Sequence, residues 1–405
     1  ATVPGQRVQR RLARAERRRA ARQRVLTAVA SAVVAVAVVT GVVTEVSGPR
    51  GERESAAPEV SGTPLPVPPP AVSSAPAPPA SGSPSPSSSE TRPEERVEKA
   101  RPTAEPTRRA ARAAPAPLSD ARLYRHPESQ VLDWVGANPG DPRQPLIKSR
   151  IADRPAAVWF AEYNPGAITA RVREVTSGAA AQGRVPVVVP YTIPERDCGG
   201  ASQGGAPGYE AYDAWMRNFA AGLGSGEVVV ILEPDSVALA DCLSAGQRSA
   251  RFASLARAGR TIHAANPRAR VYFDGGHSGW HAAAQQADAL RAAGASSSGD
   301  GIFTNVSNFH TTADEVAYAQ RVLAELGGPA RLGAVIDTSR NGNGPPAAGQ
   351  WCDPADRALG RAPTTATGQA RIDAYLWVKL PGESDGCRGR AGAFTPDYAY
   401  DLARG

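Results

Sequence analysis

The chain of 405 residues contains no Cys-x-x-Cys pair, and it has only four cysteines and five histidines. Without that pair the usual zinc spacings are excluded. No Asp-x-Asp-x-Asp-Gly run is present to form a calcium loop of that type. His277 and His281 stand four residues apart in His-Ser-Gly-Trp-His, but the glutamate of the zinc helix motif is missing between them. Packing or hydrogen bonding is the better reading of that pair, and neither a metal nor another cofactor is expected. Acid is nearly absent from residues 7–24, where arginine dominates, so the formal charge of +7 is local in origin.

A basic run can signal nucleic-acid binding, but the apolar run directly after it argues otherwise. Residues 25–43 (VLTAVASAVVAVAVVTGVV) carry no charge, close to the roughly 20 residues that span a bilayer. Basic residues before the run and none just after it predict an N-terminus in the cytoplasm. No Ala-x-Ala site closes the run, and it exceeds the roughly 7–15 apolar residues of a signal peptide. An uncleaved membrane anchor is therefore expected, with a cleaved signal as the competing reading. Both place everything after Thr44 outside the cytoplasm, and no nucleic-acid partner is expected. Residues 48–118 are rich in Pro, Ala, Ser, Thr, Glu and Arg. Such a composition cannot bury enough apolar surface to offset its ordering entropy, and its proline density favours an extended spacer. The expected organisation is a basic cytoplasmic segment (1–24), an anchor or signal (25–43), a disordered linker (44–118) and a folded domain (119–405).

All four cysteines, Cys198, Cys242, Cys352 and Cys387, lie beyond the linker. An even number in an exported chain predicts two disulfides, with three pairings open. From residue 119 onward, short β-branched runs alternate with Ala-rich stretches. Strands are expected at 156–161, 185–191, 227–232, 270–273, 301–305, 332–336 and 374–378. Helices are expected at 167–181, 209–222, 249–265, 279–293 and 312–326, the last opening with Thr-Thr-Ala-Asp-Glu as a cap. The alternation predicts an α/β fold of about seven parallel strands joined by crossovers.

A barrel of such units carries its chemistry at the carboxyl ends of its strands. Six successive strand ends here read TIPERDCGG, EPDS, DGGHSGW, VSNFH, DTSRNGNG and KLPGESDGC. One polar strand end is an ordinary turn; six on one rim predict a site. The rim offers Asp197, Glu233, Asp235, Asp274, Asp337, Glu383 and Asp385, with Arg196, Arg340 and Lys379 among them. Crowded carboxylates raise one another's pKa and nearby cations lower it, so one acid can keep its proton while another stays charged. Paired acids without a nucleophile and base dyad suggest glycoside hydrolysis. Trp159, Trp280, Trp351 and Trp377 lie on or beside the same ends, where aromatic faces can meet sugar rings; Trp377, inside a strand run, is the one expected to be buried.

Together, YTIPERDCGG, ILEPDSVAL, YFDGGHSGW, NVSNF, IDTSRNGNG, QWCDP and WVKLPGESDGC resemble the successive signatures of glycoside hydrolase family 6, over residues 119–405. The resemblance implies a distorted β/α barrel of seven parallel strands, a β-1,4-glucan substrate and an inverting reaction. It makes Asp235 the general acid, Asp197 an acid that keeps Asp235 protonated, and Asp385 the base. It makes Tyr191, Lys379 and Glu383 substrate contacts and Asp274 a further acid of the cleft; Trp159, Trp280, Trp351, His277 and Asn308 are also expected to bind substrate. It also implies the disulfides Cys198–Cys242 and Cys352–Cys387, and a monomeric enzyme is expected. Glu233 is expected to be a structural neighbour that hydrogen-bonds locally.

Thr192 stands where many members have Asn or Asp, and Gly275 replaces a common alanine. Neither departure removes a carboxylate. Short connections at 337–351 and 379–391, and the absence of a second tryptophan after Gly279-Trp280, favour an open groove and internal cleavage over an exo-acting tunnel. A non-catalytic glycan receptor with the same groove is the rival from another class.

Overall fold

The computed structural model describes Leu118 and residues 121–405. The expected basic segment, the apolar run at 25–43 and the linker, apart from Leu118, lie outside the described residues. Among the described residues no helix is long and apolar enough to cross a membrane.

The described chain opens with α1 (Gln130–Ala137) and α2 (Gln144–Ile147), which continues into a π-helical turn at Lys148–Ala152. The alternation then begins: β1 (Val158–Phe160), α3 (Ile168–Ala180), β2 (Val187–Pro190), α4 (Tyr209–Ala220), β3 (Val228–Leu232), α5 (Ala245–Ala265), β4 (Ala269–Asp274), α6 (Ala283–Ala292), the short α7 (Ala295–Ser298), β5 (Gly301–Thr304), α8 (Thr312–Leu326), β6 (Gly333–Asp337) and β7 (Ile372–Leu376). Pro396–Arg404 forms the closing helix α9. Each expected strand is present, with ends shifted by up to two residues.

The seven strands are parallel and lie in chain order, each beside its successor. A doubly wound sheet would reverse that order; here the sheet curls instead into a half-barrel. Its outer strands meet through one main-chain bond, from the Ala157 N–H to the Trp377 carbonyl (2.9 Å). The Trp159 indole N–H adds a second link across this seam, to the Val378 carbonyl (2.7 Å). No β1–β7 ladder forms among the described residues.

The strands read as continuous apolar runs because both faces are covered. Val229 and Ile231 of β3 point inward with Val187, Val189, Tyr272, Phe303 and Val335. Val228, Val230 and Leu232 point outward against the helices, with Trp215, Phe219 and Leu255. Trp377 is buried in a third cluster with Val135, Ile147 and Ala399, which seats the first and last helices beside the seam.

Helix starts are the least legible feature. α5 begins four residues earlier than expected, because Ser244 and Gln247 form a capping box: each side chain accepts from the other's main-chain N–H. α6 begins four residues later than expected. The Gly275-Gly276 turn, with Gly276 at φ 63°, and the residues to Ala282 remain irregular and serve the mouth of the sheet.

Candidate active site

The strand ends diverge in what their acids do. Glu233, at the tip of β3, is fully buried, and its two oxygens accept from the main-chain N–H groups of Thr192 (3.0 Å) and Ile193 (2.9 Å) just beyond β2. Asp274, at the tip of β4, accepts from Val237 (3.0 Å) and Ala238 (2.8 Å) beyond β3 and from Gly276 (3.0 Å) in its own turn. Asp337, at the tip of β6, accepts from Ser339 (2.9 Å) and from Lys379 (2.9 Å) beyond β7. Each of these carboxylates pins the main chain of a neighbouring strand end. They serve N–H groups that the ending sheet leaves without a ladder partner.

Asp197, Asp235 and Asp385 are different. All three line one cavity of about 1050 Å³ at the mouth of the curled sheet. Asp235 follows Pro234 with a left-handed backbone (φ 67°), and Glu233 before it is also left-handed (φ 50°). The chain thus turns sharply off β3, with Glu233 fastened below and Asp235 carried into the cavity. Residues other than Gly rarely adopt this region, and strain of this kind clusters at functional sites. Asp197 lies in a similar left-handed run with Glu195 and Cys198. Its Oδ2 accepts from the Ser202 N–H (2.7 Å) and hydroxyl (2.9 Å), and the Ser202 Oγ lies 2.9 Å from the Tyr191 hydroxyl. Arg196 donates to the carbonyls of Ala161 (2.6 Å), Ser202 (2.7 Å) and Tyr191 while its guanidinium covers the Tyr191 ring at 4.6 Å. From behind, the buried Arg251 of α5 donates to the Pro194 and Glu195 carbonyls, both at 3.0 Å.

Electrostatics separates the acids of the cavity. Burial, then the charge of Asp274, then that of Asp197, push Asp235 up to about 8. Asp274 is also raised by burial, but three main-chain N–H groups hold its charged form, so Asp235 is the member of the pair that keeps the proton. Asp385, by contrast, meets two cations: Arg340 at 2.7 Å and Lys379 at 3.1 Å. Glu383, nearby, is pushed up to about 7 by burial, against the pull of Lys379 and of a hydrogen bond from Gln130 (2.7 Å).

Of the expected substrate-binding residues, Tyr191, Trp159, Trp280, Asn308, Trp351, Lys379 and Glu383 line the cavity. Trp351 is the most exposed of the tryptophans there, at 57 %. Trp159 meets Tyr191 edge-on at 5.2 Å. Two of the expected contacts do not line the cavity. Asp274 is 2 % exposed, lies outside the lining and is occupied as a fastener. His277 also lies outside the lining, stacked on His310 at 4.4 Å with its Nδ1 accepting from the Gly279 N–H. Both disulfides expected from the resemblance are present, Cys198–Cys242 and Cys352–Cys387, each tying a loop that bears a cavity acid. Among the described residues no cluster of His, Cys, Asp or Glu could hold a metal ion. Sequence reasoning missed Ser202, Arg251 and Asp353. The first sits in an unremarkable Gly-rich loop and the second on a helix remote in sequence, so neither left a signal; Asp353 stands within QWCDP, but that stretch alone attaches no role to it.

The family model "Glycosyl hydrolases family 6" matches residues 121–404. Endoglucanase 1 of Streptomyces sp. (strain KSM-9) is 57% identical over 289 residues, covering 71% of this chain and 79% of that protein. Endoglucanase A of Thermobispora bispora is 48% identical over 294 residues, covering 72% of this chain and 64% of that protein. Among solved structures, the endoglucanase Cel6 from Mycobacterium tuberculosis, in complex with methyl-cellobiosyl-4-deoxy-4-thio-β-D-cellobioside, is similar with a TM-score of 0.66. It is 40% identical, covering 71% of this chain and 98% of that one.

Proposed function

This chain belongs to the glycosyl hydrolases of family 6, and from that premise we propose that it cleaves internal β-1,4-glucosidic bonds of a glucan by single displacement with inversion. One observation carries the mechanism: two carboxylic acids line the same cavity in opposed settings. Asp235, held protonated by burial and by the charges of Asp274 and Asp197, donates its proton to the leaving glycosidic oxygen. Water attacks the anomeric carbon from the opposite face, and Asp385, an anion between Arg340 and Lys379, receives the proton that the water sheds. One acid that keeps its proton and a second that faces two cations supply the two transfers. Tyr191 and Trp159 form one aromatic wall of the cavity and Trp351 and Trp280 offer further faces, suited to the flat faces of successive glucose units. The relatives named endoglucanase support internal cleavage.

The first sugar released should carry the inverted anomeric configuration in proton NMR of fresh product, and the viscosity of a soluble cellulose should fall ahead of the appearance of reducing ends. A retained configuration would rule out single displacement. A viscosity that falls only in step with reducing ends would favour an exo-acting enzyme.

The acid's setting also fixes a pH limb. A group with pKa about 8 donates its proton only below that value, so kcat/KM should fall as pH rises through about 8. Replacing Asp197 by Asn removes one of the charges that hold the proton in place, and the limb should move to lower pH. An unmoved limb would show that the charge of Asp197 does not reach Asp235.

Two disulfides in the described domain fit an oxidising compartment. We place the catalytic domain (119–405) outside the cytoplasm, carried on the residue 44–118 linker, with residues 25–43 as anchor or signal. Recovery of active full-length chain from the cytoplasm would refute this.

A further inference from the structure

We propose that Asp353 is the positioning residue of Asp385; the inference rests on the reading of Asp385 as the proton acceptor. Asp353 is not itself part of the cavity lining. It is 5 % exposed, in a loop remote in sequence from the one it serves, and is left-handed at φ 45°. Its carboxylate is surrounded by donors from a single short stretch. Oδ1 accepts from the Asp385 main-chain N–H (2.6 Å). Oδ2 accepts from the Ser384 hydroxyl (2.5 Å) and from the main-chain N–H groups of Cys387 (3.0 Å) and Arg388 (2.9 Å). The traffic is reciprocal, because the Asp353 N–H donates to Asp385 Oδ2 at 3.2 Å. One residue therefore holds both the main chain and the side chain of the acceptor.

This arrangement explains how a carboxylate on a loop is kept in register. Arg340 and Lys379 hold the Asp385 carboxylate, and Lys379 also reaches the Ser384 carbonyl (3.4 Å), but neither hydrogen-bonds the Asp385 main-chain N–H. The Cys352–Cys387 disulfide brings the two loops together, yet it fixes one point on each. Asp353, next in sequence to Cys352, converts that single tether into a four-donor clasp around Asp385. Burial pushes the Asp353 carboxyl up, but the hydrogen bonds from Ser384 and the loop N–H groups outweigh it and hold it below the ordinary range. It is therefore an acceptor throughout the working range.

The chemistry of the clasp dictates the test. All four of its donors approach the two oxygens, so Asn is nearly the same shape and wrong on one side. With its oxygen toward Ser384, Cys387 and Arg388, its amide group opposes the Asp385 N–H, and the acceptor's main chain must shift. In Asp353→Asn, kcat on a soluble β-1,4-glucan should fall about 10–100-fold, as misplacing a reacting group by about 1 Å does, with KM changed by less than about 3-fold. In an Asp385→Asn background, where no acceptor remains to be positioned, adding Asp353→Asn should lower the residual rate by less than about 2-fold.

Wild-type kcat in Asp353→Asn, a loss carried by KM, or an equal loss in both backgrounds would overturn the proposal, the last by showing a merely structural role. Wild-type activity in Asp385→Asn alone would instead refute the underlying reading of the acceptor. If Asp353→Asn does not fold, Ser384→Ala decides. It removes one donor from the same carboxylate and should lower kcat about 3–10-fold at constant KM; unchanged kcat there would overturn the proposal.

Discussion

Asp235→Asn is expected to lower kcat on unsubstituted β-1,4-glucan by about 10²–10⁴-fold, the usual worth of a positioned general acid, while affinity for the glucan survives. An amide cannot donate the acidic proton that the leaving oxygen needs, but it keeps the volume and polarity of the side chain in the turn beyond β3. The loss should shrink on an aryl cellobioside with an acidic phenol as leaving group, which departs without protonation. It should also be accompanied by a gain in stability at alkaline pH. The carboxyl's pKa is raised to about 8 from an ordinary 3.8. Its contribution to stability is thus fully present below about 3.8 and is lost as pH rises through about 8. Asn carries no such dependence, so the variant's Tm should match or exceed that of the wild type at about pH 8, with the advantage shrinking toward about pH 4. Full activity in the variant would remove Asp235 from the acid's role. An advantage in Tm that grew on acidification would show that the carboxyl is not desolvated as described.

The same raised pKa shows where sequence reading succeeds and where it stops. That the rim of the sheet holds carboxylates is legible, because successive apolar runs end in acids and amides. Their division of labour is not fully legible. Glu233 and Asp235 are two residues apart on one strand end, yet one pins the Thr192 and Ile193 amides and the other lines the cavity. Asp274 resembles a cleft acid in sequence, but its neighbours at the end of β3 present two N–H groups to it. Which of several acids fastens backbone depends on where the adjacent strand ends, and that is a property of register. Register across a parallel sheet is set by tertiary packing, which no local pattern of residues records.

The helices divide along the same line. Thr312–Leu326 is predictable to the residue because Thr311 caps it by accepting from the Asp314 N–H (3.2 Å), a local signal. Gln130–Ala137 and Pro396–Arg404 lie outside the strand–helix alternation and escape a reading of it, although both help seat the buried Trp377. Their role is visible only once the seam between β1 and β7 is seen to need a cover.

The largest effect on stability is expected at Arg340. Its guanidinium is fully buried, pairs with Asp385 at 2.7 Å, donates to the Tyr398 hydroxyl (3.1 Å) and to the Ser307 carbonyl (2.5 Å), and lies 4.4 Å above the Phe309 ring. It thus joins the ends of β5, β6 and β7 through one rigid group. Arg340→Met keeps much of the volume but leaves Asp385 largely buried with only Lys379 to balance it. Breaking a buried pair from one side costs about 3–5 kcal/mol, on the order of 10 °C in Tm for a domain of this size. If Asp385 is the proton acceptor proposed above, activity should fall as well, because one of its two cations is lost. Asp385→Asn in the Arg340→Met background should restore part of the lost stability, since no uncompensated charge then remains. An Arg340→Met protein that melts within about 1 kcal/mol of the wild type would mean that solvent reaches the pair and that it behaves as a surface ion pair.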